Sequence, residues 1–217
     1  MDIGRFKGAV FDFDGTLIDS MNMWSEIDDE YLERYGHAPD PFLHDEIEGM
    51  SAMEMAVYFR EKYSIPRTPG EMIREWVDMS VQKYLYELKL KPLAAEFVSY
   101  LRGKGLKIAI ATSTEPDIIL PCLKERGISH LFDAIATTSE CGAGKPSPLV
   151  FGLAAEKIGV SPCDCIAFED LPAGLVSAKN AGMFTVAVDD SFSKKKEQEK
   201  RRLSDLFIES FSELMDQ

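Results

Sequence analysis

No apolar run in this 217-residue sequence approaches the roughly 18–20 residues that a helix needs to cross a bilayer. The first residues also lack the basic head, apolar middle and small-residue cleavage site of a secretory signal, and they lead directly into a strand-like segment. These two absences predict a cytoplasmic protein that does not interact with a membrane.

Cysteine and histidine are scarce as well. The four cysteines form no Cys-x-x-Cys pair and share no zinc-finger spacing with the three histidines, so neither a disulfide framework nor a zinc finger is predicted. Cys163 and Cys165 are close in sequence, but Cys165 opens an apolar strand-like segment, and packing explains it better than metal binding. We therefore expect free, mostly buried thiols.

Positive charge is also in deficit, with 24 Lys and Arg against 37 Asp and Glu and a net charge of −13. This balance argues against a nucleic-acid-binding protein, which needs a basic surface, and against adsorption to an anionic membrane. A basic run at 194–202 contains interspersed glutamates, and we interpret it as the solvated face of a helix.

The pattern of apolar residues predicts an α/β fold. A short apolar strand at Gly8–Asp12 precedes a stretch of helices only, expected at about 20–35, 42–47, 51–63 and 68–88. Strands then alternate with helices, with strands expected at 107–111, 134–137, 165–168, 184–188 and 206–208. This order predicts a Rossmann-like parallel sheet with helices on both faces, plus a small all-helical cap inserted after the first strand. The core domain would comprise 1–17 and 91–217, and the cap domain 18–90.

Polar side chains follow four of the predicted strands. They are Asp12, Asp14 and Thr16, then Thr112 and Ser113, then Lys145, and finally Glu169 and Asp170. In an open parallel sheet, ligands bind beyond the carboxyl ends of the strands, so we expect these side chains to meet at one edge. Converging carboxylates need a cation, and a set of oxygen ligands without Cys or His favours Mg²⁺. The hydroxyls and the lysine would then bind phosphate oxygens.

These residues lie in four motifs, which read FDFDGTLIDS from Phe11, ATS from Ala111, GKP from Gly144 and FED from Phe168. In this order and spacing they resemble the motifs of haloacid dehalogenase (HAD) superfamily phosphatases over essentially the whole chain. Gly174 and the pair Ala181-Gly182 extend the fourth motif. The helical insertion is similar to the cap of the group that contains phosphoglycolate phosphatases and β-phosphoglucomutases.

The resemblance implies a role for each motif residue. Asp12 would be the nucleophile that forms an aspartyl-phosphate, and Asp14 would protonate the leaving group and then activate water. Mg²⁺ would be held by the Asp12 carboxylate, the Asp14 carbonyl and Asp170, with Glu169 helping directly or through water. Thr112, Ser113 and Lys145 would bind the phosphate, and Thr16 would support the nucleophile loop. Lys145 is expected to be catalytic as well, because its charge can neutralise the nucleophile and the transferring group.

Residues that differ between this sequence and related enzymes of the family favour one activity over the others. Asp14 favours a phosphatase over a dehalogenase, which lacks that aspartate. The related mutases carry a histidine where Trp24 lies and an arginine where Ala52 lies, so a sugar-phosphate mutase is the less favoured alternative. Leu149 replaces an aspartate that follows the lysine motif, which puts the positioning of Lys145 in question. A non-catalytic binding protein on the same scaffold is a further alternative.

The expected partner is a small phosphorylated metabolite, such as a sugar phosphate, and we expect a monomer. Trp24 and Met50 in the cap are candidates for setting specificity. Residues 19–90 carry 16 acidic and 7 basic side chains. Because a negative lining would repel a phosphate ester, we expect the acidic excess mainly on the outer face of the cap.

Overall fold

A computed structural model describes residues 2–215 of the chain. Six strands form one parallel sheet in the order β3-β2-β1-β4-β5-β6. The strands are β1 (Gly8–Phe11), β2 (Lys107–Thr112), β3 (Ala134–Thr137), β4 (Cys165–Glu169), β5 (Phe184–Val188) and β6 (Leu206–Ile208). The predicted Rossmann-like sheet is therefore confirmed, and each predicted strand is present within a residue or two of its expected ends.

The helices are α1 (Met21–Arg34), α2 (Leu43–Ile47), α3 (Ala52–Tyr63), α4 (Pro69–Gln82), α5 (Ala94–Gly103), α6 (Pro116–Glu125), α7 (Thr138–Cys141), α8 (Leu149–Lys157), α9 (Pro172–Asn180) and α10 (Glu197–Leu203). A capping box opens α3, as the pairing of Ser51 with Glu54 predicts, and a second capping box, which was not predicted, opens α4 at Thr68. The one-turn helix α7 was not predicted, because four residues are too few to show a helical period.

The central strand β1 is buried along its whole length. Successive side chains point to opposite faces of the sheet, and each face is covered. On one face, the rings of Phe11 and Phe168 stack with centroids 4.5 Å apart, and Phe97 of α5 packs against both. On the other face, Val10 belongs to the cluster that contains Phe151 of α8. Burial on both faces explains why β1 reads as a continuous apolar run.

The end of the fourth helix differs from the prediction. A single helix was expected at 68–88, but the α-helix ends at Gln82 and one turn of π-helix follows at Lys83–Glu87. This wider turn carries Tyr84, which is fully buried and stacks on Phe13 with ring centroids 6.1 Å apart. The spacing of apolar residues does not show where an α-helix changes to a single turn of π-helix, so this turn could not be predicted from the sequence.

The chain enters and leaves the helical segment 18–90, here called the cap, through two adjacent backbone stretches. The Asp19 N–H donates to the Lys89 carbonyl at 3.0 Å, and the Lys91 N–H donates to the Leu17 carbonyl at 2.9 Å. The two segments that connect the sheet to the cap are therefore hydrogen-bonded to each other. The assignment of the cap as a separate domain remains a prediction.

The basic run at 194–202 is only partly a solvated face, so that interpretation was wrong for two lysines. Lys200 is fully buried, and its Nζ donates to the Ser193 hydroxyl at 2.8 Å. Lys196 forms ion pairs with Asp45 at 2.6 Å and Glu48 at 2.5 Å. Their partners are remote in sequence, so composition alone could not select these two lysines from the run.

The cysteines are free thiols, as predicted, but only two of them are buried. Cys122 and Cys165 lie in the core, Cys141 is half-buried and Cys163 is exposed. Within residues 2–215, no helix is long and apolar enough to cross a membrane.

Candidate active site

Four charged side chains meet at the carboxyl edge of the sheet, as their positions after the strands predicted. Asp12 follows β1, Glu169 is the last residue of β4 and Asp170 follows it, and Lys145 reaches in from the loop between α7 and α8. The Lys145 Nζ lies 2.6 Å from Asp12 Oδ1 and 2.6 Å from Glu169 Oε2. All four residues are at most 9% exposed. Leu149 therefore does not prevent Lys145 from reaching the cluster.

The charge of this cluster is not balanced by its own residues. Asp12, Glu169 and Asp170 offer oxygens within 4.8 Å of one another. Three ionised carboxylates and one ammonium leave a charge of −2. Burial, and then repulsion by Glu169, hold the pKa values of Asp12 and Asp170 well above their usual range. Burial alone would lower the pKa of Lys145, but the neighbouring carboxylates raise it.

Asp170 provides a direct test of whether a cation fits here. Its Oδ1 accepts a hydrogen bond from the Thr16 hydroxyl at 2.9 Å, so Thr16 contacts Asp170 and supports the site from the nucleophile loop. Its Oδ2 is buried and has no hydrogen-bond partner among residues 2–215. A Cβ on Gly15, whose φ is +79°, would lie 2.3 Å from that oxygen. An unsatisfied buried carboxylate oxygen in an all-oxygen, negatively charged cluster fits a hard divalent cation.

Glu169 uses both of its oxygens within the protein. Oε1 accepts the N–H groups of Asp170 at 3.0 Å and Leu171 at 3.1 Å, while Oε2 accepts from Lys145. Gly174 of α9 leaves space for this side chain, because a Cβ there would lie 1.8 Å from Oε2. Glu169 is thus arranged to hold Lys145 and the loop after β4.

Three hydroxyls hold the Asp14 carboxylate. Oδ1 accepts from Ser20 at 2.5 Å and from the Tyr84 hydroxyl, and Oδ2 accepts from Thr114 at 2.5 Å. The Trp24 indole N–H donates to the Tyr84 oxygen at 2.7 Å. Sequence analysis missed all three donors. Ser20 and Thr114 lie inside or beside motifs and could have been suspected, but nothing in the sequence pointed to Tyr84.

The catalytic edge opens into a cavity of about 410 Å³ beneath the cap. Thr112 and Ser113 line it together with Asp12, Asp14 and Lys145. Thr112 is buried, and its oxygen accepts the Thr114 N–H at 3.0 Å. From the cap, both specificity candidates, Trp24 and Met50, contribute to the lining. Further apolar walls come from Met21, Met55, Ile73, Trp76 and Val77.

The cap is held against the loops at the sheet edge by hydrogen bonds from main-chain N–H groups to cap carboxylates. The N–H of Gly144, next to Lys145, donates to Glu54 Oε2 at 2.9 Å. The N–H of Ala173 donates to Glu48 Oε1 at 3.2 Å. A Cβ on Gly49 would lie 2.5 Å from the Lys145 carbonyl oxygen, so the two loops touch through their main chains. The cap therefore covers the cavity in this conformation.

Comparison with known proteins decides the family. The sequence profile of the haloacid dehalogenase-like hydrolases matches residues 9–188. This chain belongs to that family. The chain is similar to the fructose-1-phosphate phosphatase YqaB of Escherichia coli, with 29% identity over 85% of this chain and 97% of the relative. It is also similar to hexitol phosphatase A of Escherichia coli, with 30% identity over 85% and 84% of the two chains.

Solved structures of family members share the fold. CbbY from Rhodobacter sphaeroides, crystallised with phosphate, superposes with a TM-score of 0.85 at 23% identity, covering 96% of both chains. A β-phosphoglucomutase from Clostridium difficile has a TM-score of 0.81 at 24% identity, covering 96% of this chain and 93% of that one. The family assignment and the phosphatase relatives identify this HAD protein as a hydrolase of phosphoric monoesters.

Proposed function

We propose that this HAD hydrolase removes phosphate from a small phosphorylated metabolite of the sugar-phosphate type, through an aspartyl-phosphate on Asp12 and with Mg²⁺ as cofactor. The observation that carries the proposal is the buried cluster of Asp12, Lys145 and Asp170, with its uncompensated negative charge, at the base of the cavity beneath the cap. The relatives named for fructose 1-phosphate and hexitol phosphates support this substrate class.

Two proton-transfer steps are assigned to Asp14. The Asp12 carboxylate attacks phosphorus, and the leaving alcohol oxygen takes a proton from Asp14 as its bond to phosphorus breaks. Asp14 then accepts a proton from the water that attacks the aspartyl-phosphate, which restores Asp12 and releases inorganic phosphate. The hydroxyls of Ser20, Tyr84 and Thr114 orient Asp14 for both steps.

The remaining motif residues bind the transferred group. Thr112 uses its oxygen to accept the Thr114 N–H, which leaves its O–H free to donate to a phosphate oxygen, and Ser113 lies beside it in the cavity. Lys145 orients Asp12 and offsets part of its charge. The Asp12 and Asp170 carboxylates and the Asp14 carbonyl would hold Mg²⁺, which supplies positive charge that lowers the repulsion between the carboxylates and the phosphate.

The site favours hydrolysis over the mutase alternative. Trp24, at the position of the mutase histidine, has an indole that donates to Tyr84 and does not exchange protons near neutral pH. A mutase also needs a clamp for a second phosphate. Lys195 and Lys196 both line the cavity. Lys196 is already paired with Asp45 and Glu48, whereas Lys195 forms no ion pair among the described residues, so the preference for hydrolysis rests on Trp24.

Metal removal tests the cofactor directly. Chelation with EDTA is expected to abolish turnover of p-nitrophenyl phosphate, and Mg²⁺ should restore it. Independently of turnover, Mg²⁺ should raise the melting temperature of the metal-free protein, because binding to the folded state alone adds about 2.7 kcal/mol of stability at 100 times Kd. The Asp170→Asn variant should lose most of this thermal shift. Full activity of the metal-free protein would contradict the assignment.

Tyr84→Phe tests the clamp on Asp14. Removing the Tyr84 hydroxyl leaves Asp14 Oδ1 with Ser20 as its one remaining donor among the described residues. We expect kcat to fall about tenfold, a fraction of the ~10²–10⁴ that general acid–base catalysis contributes. Tyr86→Phe is the matched control, since Tyr86 lies on the same π-helical turn and is 69% exposed. Equal kcat values for the two variants would show that Tyr84 does not position Asp14.

A further inference from the structure

Three of the sixteen acidic cap residues line the active-site cavity, and these three depart from the expected placement of cap charge on the outer face. The three are Asp28, Asp45 and Glu48. Asp45 and Glu48 share the ammonium of Lys196. These two carboxylates therefore have a countercharge within the protein and do not require a cationic ligand.

Asp28 has no such compensation. It lies on α1, is 8% exposed, and accepts no hydrogen bond from any residue within 2–215. The His44 Nδ1 atom of α2 lies 3.8 Å from Asp28 Oδ2, which is beyond hydrogen-bond reach. The Asp28 side chain keeps 11% of its surface exposed and lines the cavity, so its carboxyl group is accessible to a ligand bound there.

Near neutral pH, both members of this pair are uncharged. Burial, and to a lesser extent the neighbouring Asp29, raise the pKa of Asp28 to about 8. Burial lowers the pKa of His44 below 6.5 and outweighs the opposing effects of Asp29 and Asp45, while Lys196 lowers it further. The contact at 3.8 Å is thus between a carboxylic acid and a neutral imidazole, and it is not an ion pair at pH 7.

Neutral carboxyl and imidazole groups select a particular ligand chemistry. Each offers one donor and one acceptor, which is the pattern that a hydroxyl group complements. A second phosphate would need a free cation, and an ammonium group would need an ionised carboxylate. The edge of the Phe192 ring packs on His44 at a centroid distance of 5.2 Å and restricts the imidazole orientation.

We propose that Asp28 and His44 form a subsite in the cap that binds a hydroxyl group of the leaving alcohol, so that the preferred substrates are phosphate monoesters of polyols or sugars. This inference rests on the proposed function, since the phosphate must sit at Asp12 in the same cavity. Asp28 is then a specificity residue that contacts the part of the substrate remote from the reacting phosphorus.

The test compares hydroxylated and unhydroxylated substrates of similar size. Fructose 1-phosphate and glycerol 3-phosphate are paired with hexyl phosphate and propyl phosphate, and the ratio of kcat/KM within each pair measures recognition of hydroxyl groups. The wild-type protein should favour the hydroxylated member. Asp28→Leu should reduce the ratio about 10–100-fold in the affected pair, the range expected when a buried hydrogen-bonding site loses its partner.

Two further measurements separate recognition from a structural role. In the wild-type protein the ratio should fall above about pH 8, where Asp28 becomes ionised, ceases to donate and repels the anionic substrate. Asp28→Asn, which stays neutral, should flatten this pH dependence. Asp28→Leu should melt at the same or a higher temperature than wild type, because it replaces a largely buried carboxyl group with an apolar side chain. Glu30→Gln, an exposed charge change on the same helix, is the matched control and should leave the ratio unchanged.

The outcomes distinguish this inference from the function on which it rests. Turnover that survives in Asp12→Asn overturns the proposed function. Turnover that depends on Asp12, with a ratio that Asp28→Leu does not change, overturns the subsite alone. A wild-type protein without preference for hydroxylated substrates does the same, as does a preference for phosphoethanolamine over ethyl phosphate, which would assign Asp28 to a cationic group.

Discussion

Replacing Asp12 with asparagine is expected to reduce turnover of p-nitrophenyl phosphate by at least ~10³-fold, because loss of the nucleophile removes the covalent route. The amide is nearly isosteric with the carboxylate but is a poor nucleophile. It also removes one of the charges that face Lys145 at 2.6 Å. Steady-state release of phosphate measures the loss. Phosphorylated Asp12, detected by peptide mass spectrometry after an acid quench, should occur in the wild-type protein only.

Asp19→Asn is the matched control for this experiment. Asp19 lies in the same motif, is exposed, and is not one of the carboxylates that converge at the sheet edge. Its variant should keep wild-type activity and melting temperature. A purified, folded Asp12→Asn protein with wild-type turnover would refute the aspartyl-phosphate mechanism. Failure of beryllium fluoride to bind at Asp12 in the wild-type protein would instead favour the non-catalytic alternative.

Gly174→Ala should cause the second large loss, although the change adds only a methyl group. The new Cβ would lie 1.8 Å from Glu169 Oε2, the oxygen that holds Lys145, so the Glu169 side chain must move. We expect kcat/KM to fall about 10²-fold or more, since small misplacement of catalytic groups is costly, and the free energy of unfolding to fall by about 1–3 kcal/mol from overpacking.

Gly152→Ala is the matched control, because it makes the same glycine-to-alanine substitution in another helix. A Cβ on Gly152 of α8 meets no atom within 4 Å. Alanine favours the helix over glycine by about 0.5–1 kcal/mol, so this variant should be as stable as wild type or more so, with unchanged activity. Chemical denaturation and kcat/KM measure both variants. Equal activity of Gly174→Ala and wild type would show that Glu169 tolerates displacement and that its contact with Lys145 is dispensable.

The motif residues could be predicted because their partners are specified by topology. Asp12, Glu169 and Asp170 each follow a buried parallel strand, and parallel strands that share a sheet end at the same edge. The apolar run of each strand and the glycine that ends each preceding helix show in the sequence where the strands begin and end. The fold class, the order of the strands along the chain and the meeting of the charged residues at one edge could therefore be predicted from the sequence.

Cap residues could not be predicted in the same way. Tyr84 reaches Asp14 across 70 positions through a turn of π-helix, which leaves no periodic pattern. In the sequence Asp28 is one acidic residue among many, and only its burial against the cavity raises its pKa and distinguishes it from the others. Lys196 reads as part of an exposed basic run, yet it pairs with cap carboxylates.

The sequence by itself determined the parallel α/β core and the identity of the charged residues at its edge, because strand burial and motif spacing act over short stretches of chain. The tertiary structure alone decided how those charges are held and what the cavity recognises. Those properties depend on desolvation and on contacts between residues far apart in the chain, as with Tyr84 at Asp14 and Asp28 beside His44. No local pattern encodes them, because each arises only when the cap packs over the sheet edge.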